Sequence, residues 1–168
     1  MSLDWKKRSY DVVVVGSGLA GLSAALTVAE FGLNPVVFEK APSPGGMTLF
    51  SEGCFNAADS RRQIPLGIED SPEKHLRQAL KMSGGRGRES LLRILCYEAY
   101  SAQQWLETIG LVFEERIHRA PGALFPRSHK PVYGGGSAYI QALLKALDPF
   151  EVPVVTGANV LSIMRDRE

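Results

Sequence analysis

The chain has 168 residues, of which 45% are hydrophobic and 22% charged, enough apolar material for a folded core and too much for a disordered polymer. Its 19 basic and 18 acidic residues leave a formal charge of +1, so nothing steers it toward nucleic acid or an anionic membrane. Cys54 and Cys96 form no C-x-x-C pair and His75, His118 and His129 do not cluster, so no metal site is expected and a reduced, cytoplasmic chain is.

Residues 1–9 read as a solvated tail in which Lys6, Lys7 and Arg8 are followed by no apolar signal segment. Residues 10–168 read as one domain. Tyr10 to Val15 is a continuous β-branched run, the pattern of a parallel-sheet strand buried on both faces. The turn Gly16-Ser17-Gly18-Leu19-Ala20-Gly21 follows. Leu22 to Phe31 then reads as a helix stopped by Gly32, and Asn34 to Glu39 as a second strand. Ala41 to Glu52, with Pro42, Pro44, Gly45 and Gly46, reads as a loop.

Ser71-Pro72 opens a helix that runs to Met82, with Ser as cap and Pro at the first position. A longer helix is expected from Arg88 to Ile109, with Leu91, Leu92, Leu95, Ala99, Ala102, Leu106 and Ile109 as its core face and Cys96 inside. Leu111 to Glu114 reads as a short strand. The stretch 116–136 is loop-rich, with Pro121, Pro126 and Pro131. Ser137 to Leu147 is a helix, and Val152 to Thr156 and Val160 to Met164 are strands split by Gly157.

The chemistry concentrates in the glycine turn, because a G-x-G-x-x-G between a strand and a helix has a physical logic at each glycine. Gly16 permits the tight turn, Gly18 lets backbone approach a pyrophosphate, and Gly21 lets the helix pack near the sheet. The helix N-terminus then offers unpaired N–H groups to the phosphates. Glu39, at the end of the second strand, can accept hydrogen bonds from both hydroxyls of an adenosine ribose and disfavours a 2′-phosphate. To this point NAD and FAD fit equally. The second glycine pair, Gly45-Gly46, favours FAD, whose extended form continues past the pyrophosphate and needs close backbone there.

The stretches DVVVVGSGLAGLSAAL, VVFEK, GGMT, SEGCFNAA, IEDSPEKHLRQAL and RSHKPVYGGGSAYIQAL resemble the flavoprotein subunits of fumarate reductase and succinate dehydrogenase. The resemblance is to the branch of soluble fumarate reductases and urocanate reductases, with 3-ketosteroid dehydrogenases as further relatives, and it spans Tyr10 to Met164. It implies an α/β, Rossmann-like FAD-binding domain of the glutathione-reductase type, with a parallel sheet. Gly16, Ser17, Gly18, Ala20 and Gly21 would hold the pyrophosphate. Glu39 would meet the adenosine ribose, with Lys40 beside it. Gly45, Gly46, Met47 and Thr48 would line the middle of FAD, Ser51, Glu52 and Gly53 would approach the flavin, and Val160 would offer backbone to the adenine.

Met47 stands where membrane-bound members carry the histidine that bonds covalently to flavin, so the resemblance implies non-covalent FAD. Cys54 stands where relatives usually have glycine, and a packed thiol is expected. His129 has two readings, proton transfer beside the flavin or ordering of a proline-rich loop, and Arg127 and Lys130 are candidates to hold an anionic substrate or phosphate. No catalytic residue is assigned. The resemblance further implies that the family's capping domain and a late strand of the FAD site fall outside these 168 residues. The chain alone is therefore expected to leave a sheet edge and apolar surface open, to retain FAD weakly and to turn over little substrate. A partner chain could complete the site. The expected substrate is a small molecule, a carboxylate or a ketosteroid. The competing readings are an NAD-binding domain and a non-catalytic fragment stable as an interaction module.

Overall fold

In a computed structural model, residues 9–58 and 60–164 are described; the Lys6–Arg8 run lies outside them. The elements in chain order are β1 (Val12–Val15), α1 (Leu19–Glu30), β2 (Pro35–Phe38), β3 (Phe55–Asn56), α2 (Ser60–Gln63), α3 (Pro72–Met82), α4 (Glu89–Thr108), β4 (Ser128–His129), α5 (Gly136–Leu147) and β5 (Val154–Val155), with a 3₁₀ turn over Gly46–Phe50. They divide into two compact units, one of Met1–Ser51 with Tyr139–Glu168, the other of Glu52–Ala138.

The first unit holds a parallel sheet in the order β1-β2-β5. β1 pairs with β2 from Val12↔Pro35 to Val15↔Phe38, and β2 with β5 at Val37↔Val154 and Phe38↔Val155. Val36 and Val37 are fully buried, because β2 has a neighbour on each side. α1 buries Leu22, Ala25, Leu26 and Ala29, one stripe at three- and four-residue spacing. Each leucine removed from water there stabilises by about 2 kcal/mol. α5 buries Tyr139, Ile140, Leu143 and Leu147 in the same unit.

β1 corrects the expectation of a strand covered on both faces. Its burial alternates, and Val13 and Val15 are 57% and 58% exposed. The β-branched run set the backbone but not the cover, which is greater on one face of β1 than on the other. The strand expected over Val160 to Met164 does not form either. After β5 the N–H groups of Gly157 and Ala158 donate to the carbonyls of Ala41 and Glu39, at 2.9 and 2.8 Å, which turns the chain over the end of β2. Beyond that turn Leu161, Ile163 and Met164 are almost fully exposed.

In the second unit α3 and α4 pack together. Ser71 Oγ accepts the N–H of Lys74 at 3.2 Å, and Pro72 takes the first position, as the sequence predicts. α4 buries Cys96, Ala99, Gln103 and Leu106. This corrects part of the expected core face: Leu91 and Leu95 are exposed. The apolar stripe read from the spacing is wider than the face that the helix buries. β3 and β4 pair antiparallel, Phe55 with His129 and Asn56 with Ser128, a ladder of two residues too short for a sequence signal. The strand expected over Leu111–Glu114 reduces to one bridge, Phe113 to Pro131, held by the N–H of Glu114 on Lys130 O and the N–H of Val132 on Val112 O, at 2.9 and 3.0 Å.

Candidate dinucleotide-binding site

The glycine turn carries β1 into α1 in the first unit. Gly16 takes φ +98°, a left-handed conformation open to glycine, and its N–H donates to Phe38 O at 2.7 Å. Gly21 answers to a different constraint, since a Cβ there would stand 1.9 Å from Gly16 O, backbone against backbone. Ser17 is fully buried at the centre. Its N–H and its Oγ–H both donate to Glu39 Oε2, at 2.9 and 2.6 Å, while its Oγ accepts the N–H of Gly45 at 3.1 Å. Glu39 Oε1 accepts the N–H of Ala41 at 2.8 Å. One serine thus joins the glycine turn, the end of β2 and the second glycine pair.

No side chain caps α1 at its N-cap, Gly18. Leu19 N–H donates to Thr48 Oγ1 at 3.1 Å, and the other first-turn amides have no carbonyl within the helix to meet. A Cβ on Gly18 would lie 3.6 Å from Thr48 Oγ1 and 3.8 Å from Gly45 O, so the 45–48 segment runs directly past the helix start.

Glu39 is 5% exposed and its pKa is lowered from 4.5 to about 2, chiefly by the Ala41 N–H, then by the Ser17 hydroxyl and N–H. A carboxyl held below its unfolded value stabilises the fold above pH 4.5 and loses that contribution as pH falls toward 2. The loss is at most about 3 kcal/mol. Urea unfolding of Glu39→Gln beside the parent chain should show a gap at pH 7 that closes steadily below pH 4.5; a gap constant down to pH 2.5 would contradict this role for the carboxylate.

The remaining candidates divide. Gly16, Ser17, Gly18, Gly21, Glu39, Gly45, Gly46 and Thr48 come together around the turn, and Ala20 lies exposed in the first turn of α1. Lys40, Met47 and Ser51 present exposed side chains, and Val160 lies in no strand. Glu52 and Gly53 belong to the second unit. There Glu52 pairs with Lys130 Nζ at 2.8 Å, and a Cβ on Gly53 would stand 2.6 Å from the carbonyl carbon of Gly135. Cys54 is exposed, against the expectation of a packed thiol, because it lies just before the short β3 ladder. His129 is fully buried, its Nε2 3.2 Å from Ala57 O and its ring edge-on to Phe113, which fits the loop-ordering reading.

The family described as FAD binding domain matches residues 11–168. The chain belongs to that family. NADH:fumarate oxidoreductase of Klebsiella pneumoniae is 34% identical over 163 residues, 96% of this chain and 18% of the relative. Urocanate reductase of Eggerthella lenta is 39% identical over 118 residues, 62% of this chain and 20% of the relative. Among solved structures, the open conformation of a flavocytochrome c3 fumarate reductase superposes with a TM-score of 0.84 at 30% identity, covering 90% of this chain and 27% of that one. The chain therefore spans about a quarter or less of the length of these relatives. It is an FAD-binding domain of the fumarate reductase and succinate dehydrogenase-like flavoproteins, as its motifs implied.

The donor set of this FAD-binding domain suits the cofactor. An uncapped helix start and a turn without side chains at Gly16, Gly18 and Gly21 suit a pyrophosphate. Glu39 was expected to take both ribose hydroxyls. Its two oxygens offer about four acceptor sites, of which Ser17 and Ala41 already fill three. One site on Oε1 is left, so Glu39 first of all holds the turn and has room for one hydroxyl. The sequence did not reveal this, since nothing in the spacing of Ser17 and Glu39 says that they bond to each other. Among the described residues no helix is long and apolar enough to cross a membrane.

Proposed function

We propose that this FAD-binding domain holds FAD non-covalently and positions it for hydride transfer in a flavoprotein oxidoreductase. The observation that carries the reading is the uncapped start of α1 with Ser17 tying Gly45 and Glu39 to the turn. When bound, FAD supplies hydride transfer to or from a carbon–carbon double bond; the protein supplies binding and orientation. Gly16, Ser17, Gly18, Ala20 and Gly21 receive the pyrophosphate. Glu39 accepts one ribose hydroxyl, with Lys40 beside it. Gly45, Gly46, Met47 and Thr48 line the middle of the cofactor, Ser51, Glu52 and Gly53 serve its flavin end, and Val160 the adenine. Non-covalent binding rests on Met47, whose thioether forms no bond of the kind a histidine makes.

The substrate we infer is a small carboxylate carrying an activated double bond, a class supported by relatives named for fumarate and urocanate; a ketosteroid is the second candidate. We place the chain in the cytoplasm, in keeping with its two free cysteines. The test is to purify the chain, record its visible spectrum and identify the released cofactor by mass spectrometry. Flavin bands that leave with free FAD on denaturation are expected. Colour that stays with the denatured chain would overturn the Met47 argument. A colourless chain that takes up no added FAD, or one that releases NAD instead, would overturn the assignment.

A further inference from the structure

Ser17 is fully buried, so within the group proposed to receive the pyrophosphate its part is to position other atoms rather than to touch the ligand. Its Oγ does this in two directions, donating to Glu39 Oε2 at 2.6 Å and accepting the N–H of Gly45 at 3.1 Å. The backbone that it holds is buried at Gly45 and lies close against the helix start, since a Cβ on Gly46 would stand 4.0 Å from Gly18 Cα.

Two hydrogen bonds tie the 45–48 segment to the glycine turn, Gly45 N–H to Ser17 Oγ and Leu19 N–H to Thr48 Oγ1. A ligand treats them differently. Leu19 N–H belongs to the first turn of α1, where an arriving phosphate finds its donors, so a phosphate competes with Thr48 for it. The Gly45 N–H points at a serine that no ligand reaches and stands outside that competition.

The turn has anchors of its own. Gly16 N–H donates to Phe38 O, Ser17 N–H to Glu39 Oε2 and Ala41 N–H to Glu39 Oε1. All three donors are backbone groups. Without the Ser17 hydroxyl, Glu39 therefore keeps one N–H on each oxygen and the turn keeps its bonds to the end of β2, whereas Gly45 N–H loses its acceptor. We infer that Ser17 is a positioning residue that sets a preference for FAD over shorter adenine nucleotides, by holding the 45–48 segment beside the turn. This rests on the FAD reading above. ADP has the adenosine and pyrophosphate of FAD and ends there, so it needs only the turn and Glu39. FAD continues past the pyrophosphate, along the segment that Ser17 holds.

The 168-residue chain and its Ser17→Ala variant are titrated with FAD and with ADP, and the amide NMR signals of Gly18 and Gly21 follow both ligands. The parent should bind FAD more tightly than ADP. In Ser17→Ala, FAD should weaken by at least about tenfold and ADP by less than about threefold, the pattern of one buried N–H left without its acceptor on the FAD side alone. A variant that merely loosens the fold weakens both nucleotides alike, so the ratio of the two affinities isolates the positioning role. If Ser17→Ala fails to fold by circular dichroism, hydrogen exchange in the parent answers without a substitution: the Gly45 N–H should exchange slowly in the cofactor-free chain and stay slow with either nucleotide bound. Equal weakening of FAD and ADP, parent-like binding of both, or a freely exchanging Gly45 N–H would each overturn the role of Ser17 and leave the FAD site standing. A parent chain that binds neither nucleotide would overturn the site and this inference with it.

Discussion

Replacing Gly21 by alanine is expected to lower FAD affinity at least a hundredfold, measured by the quenching of FAD fluorescence on titration with the chain. The added methyl would stand 1.9 Å from Gly16 O and 3.0 Å from Gly16 C, with a Val14 methyl at 3.3 Å on its other side. Neither Gly16 atom is the tip of a flexible side chain, so relief requires β1 and the start of α1 to separate. That separation moves the turn proposed to receive the pyrophosphate and strains the Ser17 bonds to Glu39. Ala24→Ser, on the exposed side of α1, serves as control and should bind FAD as the parent does. Parent-like affinity in Gly21→Ala would remove the close approach from the account of the site.

The second large effect belongs to the ion pair of the other unit, where Arg127 Nη2 donates to Asp70 Oδ1 at 2.8 Å and the two side chains are 3% and 0% exposed. Asp70→Ala should destabilise the chain by about 3–5 kcal/mol, because it leaves the Arg127 guanidinium buried without its counter-charge. Gln63 Nε2 would keep Pro126 O but lose its second acceptor. Urea unfolding at neutral pH gives the comparison. Glu89→Ala makes the contrast, since the Glu89–Arg93 pair is equally short at 2.8 Å yet both side chains are more than half exposed. An exposed helical pair of that kind contributes about 0.3–0.5 kcal/mol. Equal effects of the two substitutions would mean that burial does not set the energy of the Asp70 pair.

The sequence made the fold legible wherever a local rule governs it. The βαβ order, the Gly32 stop and the Ser71-Pro72 start all follow from neighbours within one turn of chain, and the structure repeats them to within a few residues. What it did not reveal depends on partners far along the chain. Val13 and Val15 are identical in type to Val12 and Val14, and their burial differs because successive side chains point to opposite faces of β1, of which one is better covered. Leu91 and Leu95 belong to the apolar stripe by spacing, yet the folded helix leaves them exposed and buries Cys96 and Gln103 instead.

The site shows the same division. Gly16, Gly18 and Gly21 declare themselves by spacing, and Gly16 and Gly21 each meet a demand within the turn itself, a positive φ and a close backbone approach. Ser17 reads as the variable letter of the motif, yet it makes three of the bonds that hold the turn.

The Ser17 junction has a consequence for the kinetics of cofactor capture. A phosphate-binding loop that is floppy before its ligand arrives must lose backbone freedom at the moment of association, and affinity falls by that amount. Here the turn, the end of β2 and the Gly45 segment are already fastened to one another through a buried serine and an ionised glutamate. The ordering cost is met when the chain folds. We therefore expect FAD to meet a turn that is already ordered, so that stopped-flow mixing shows a single concentration-dependent step with no slow closing of the loop after it.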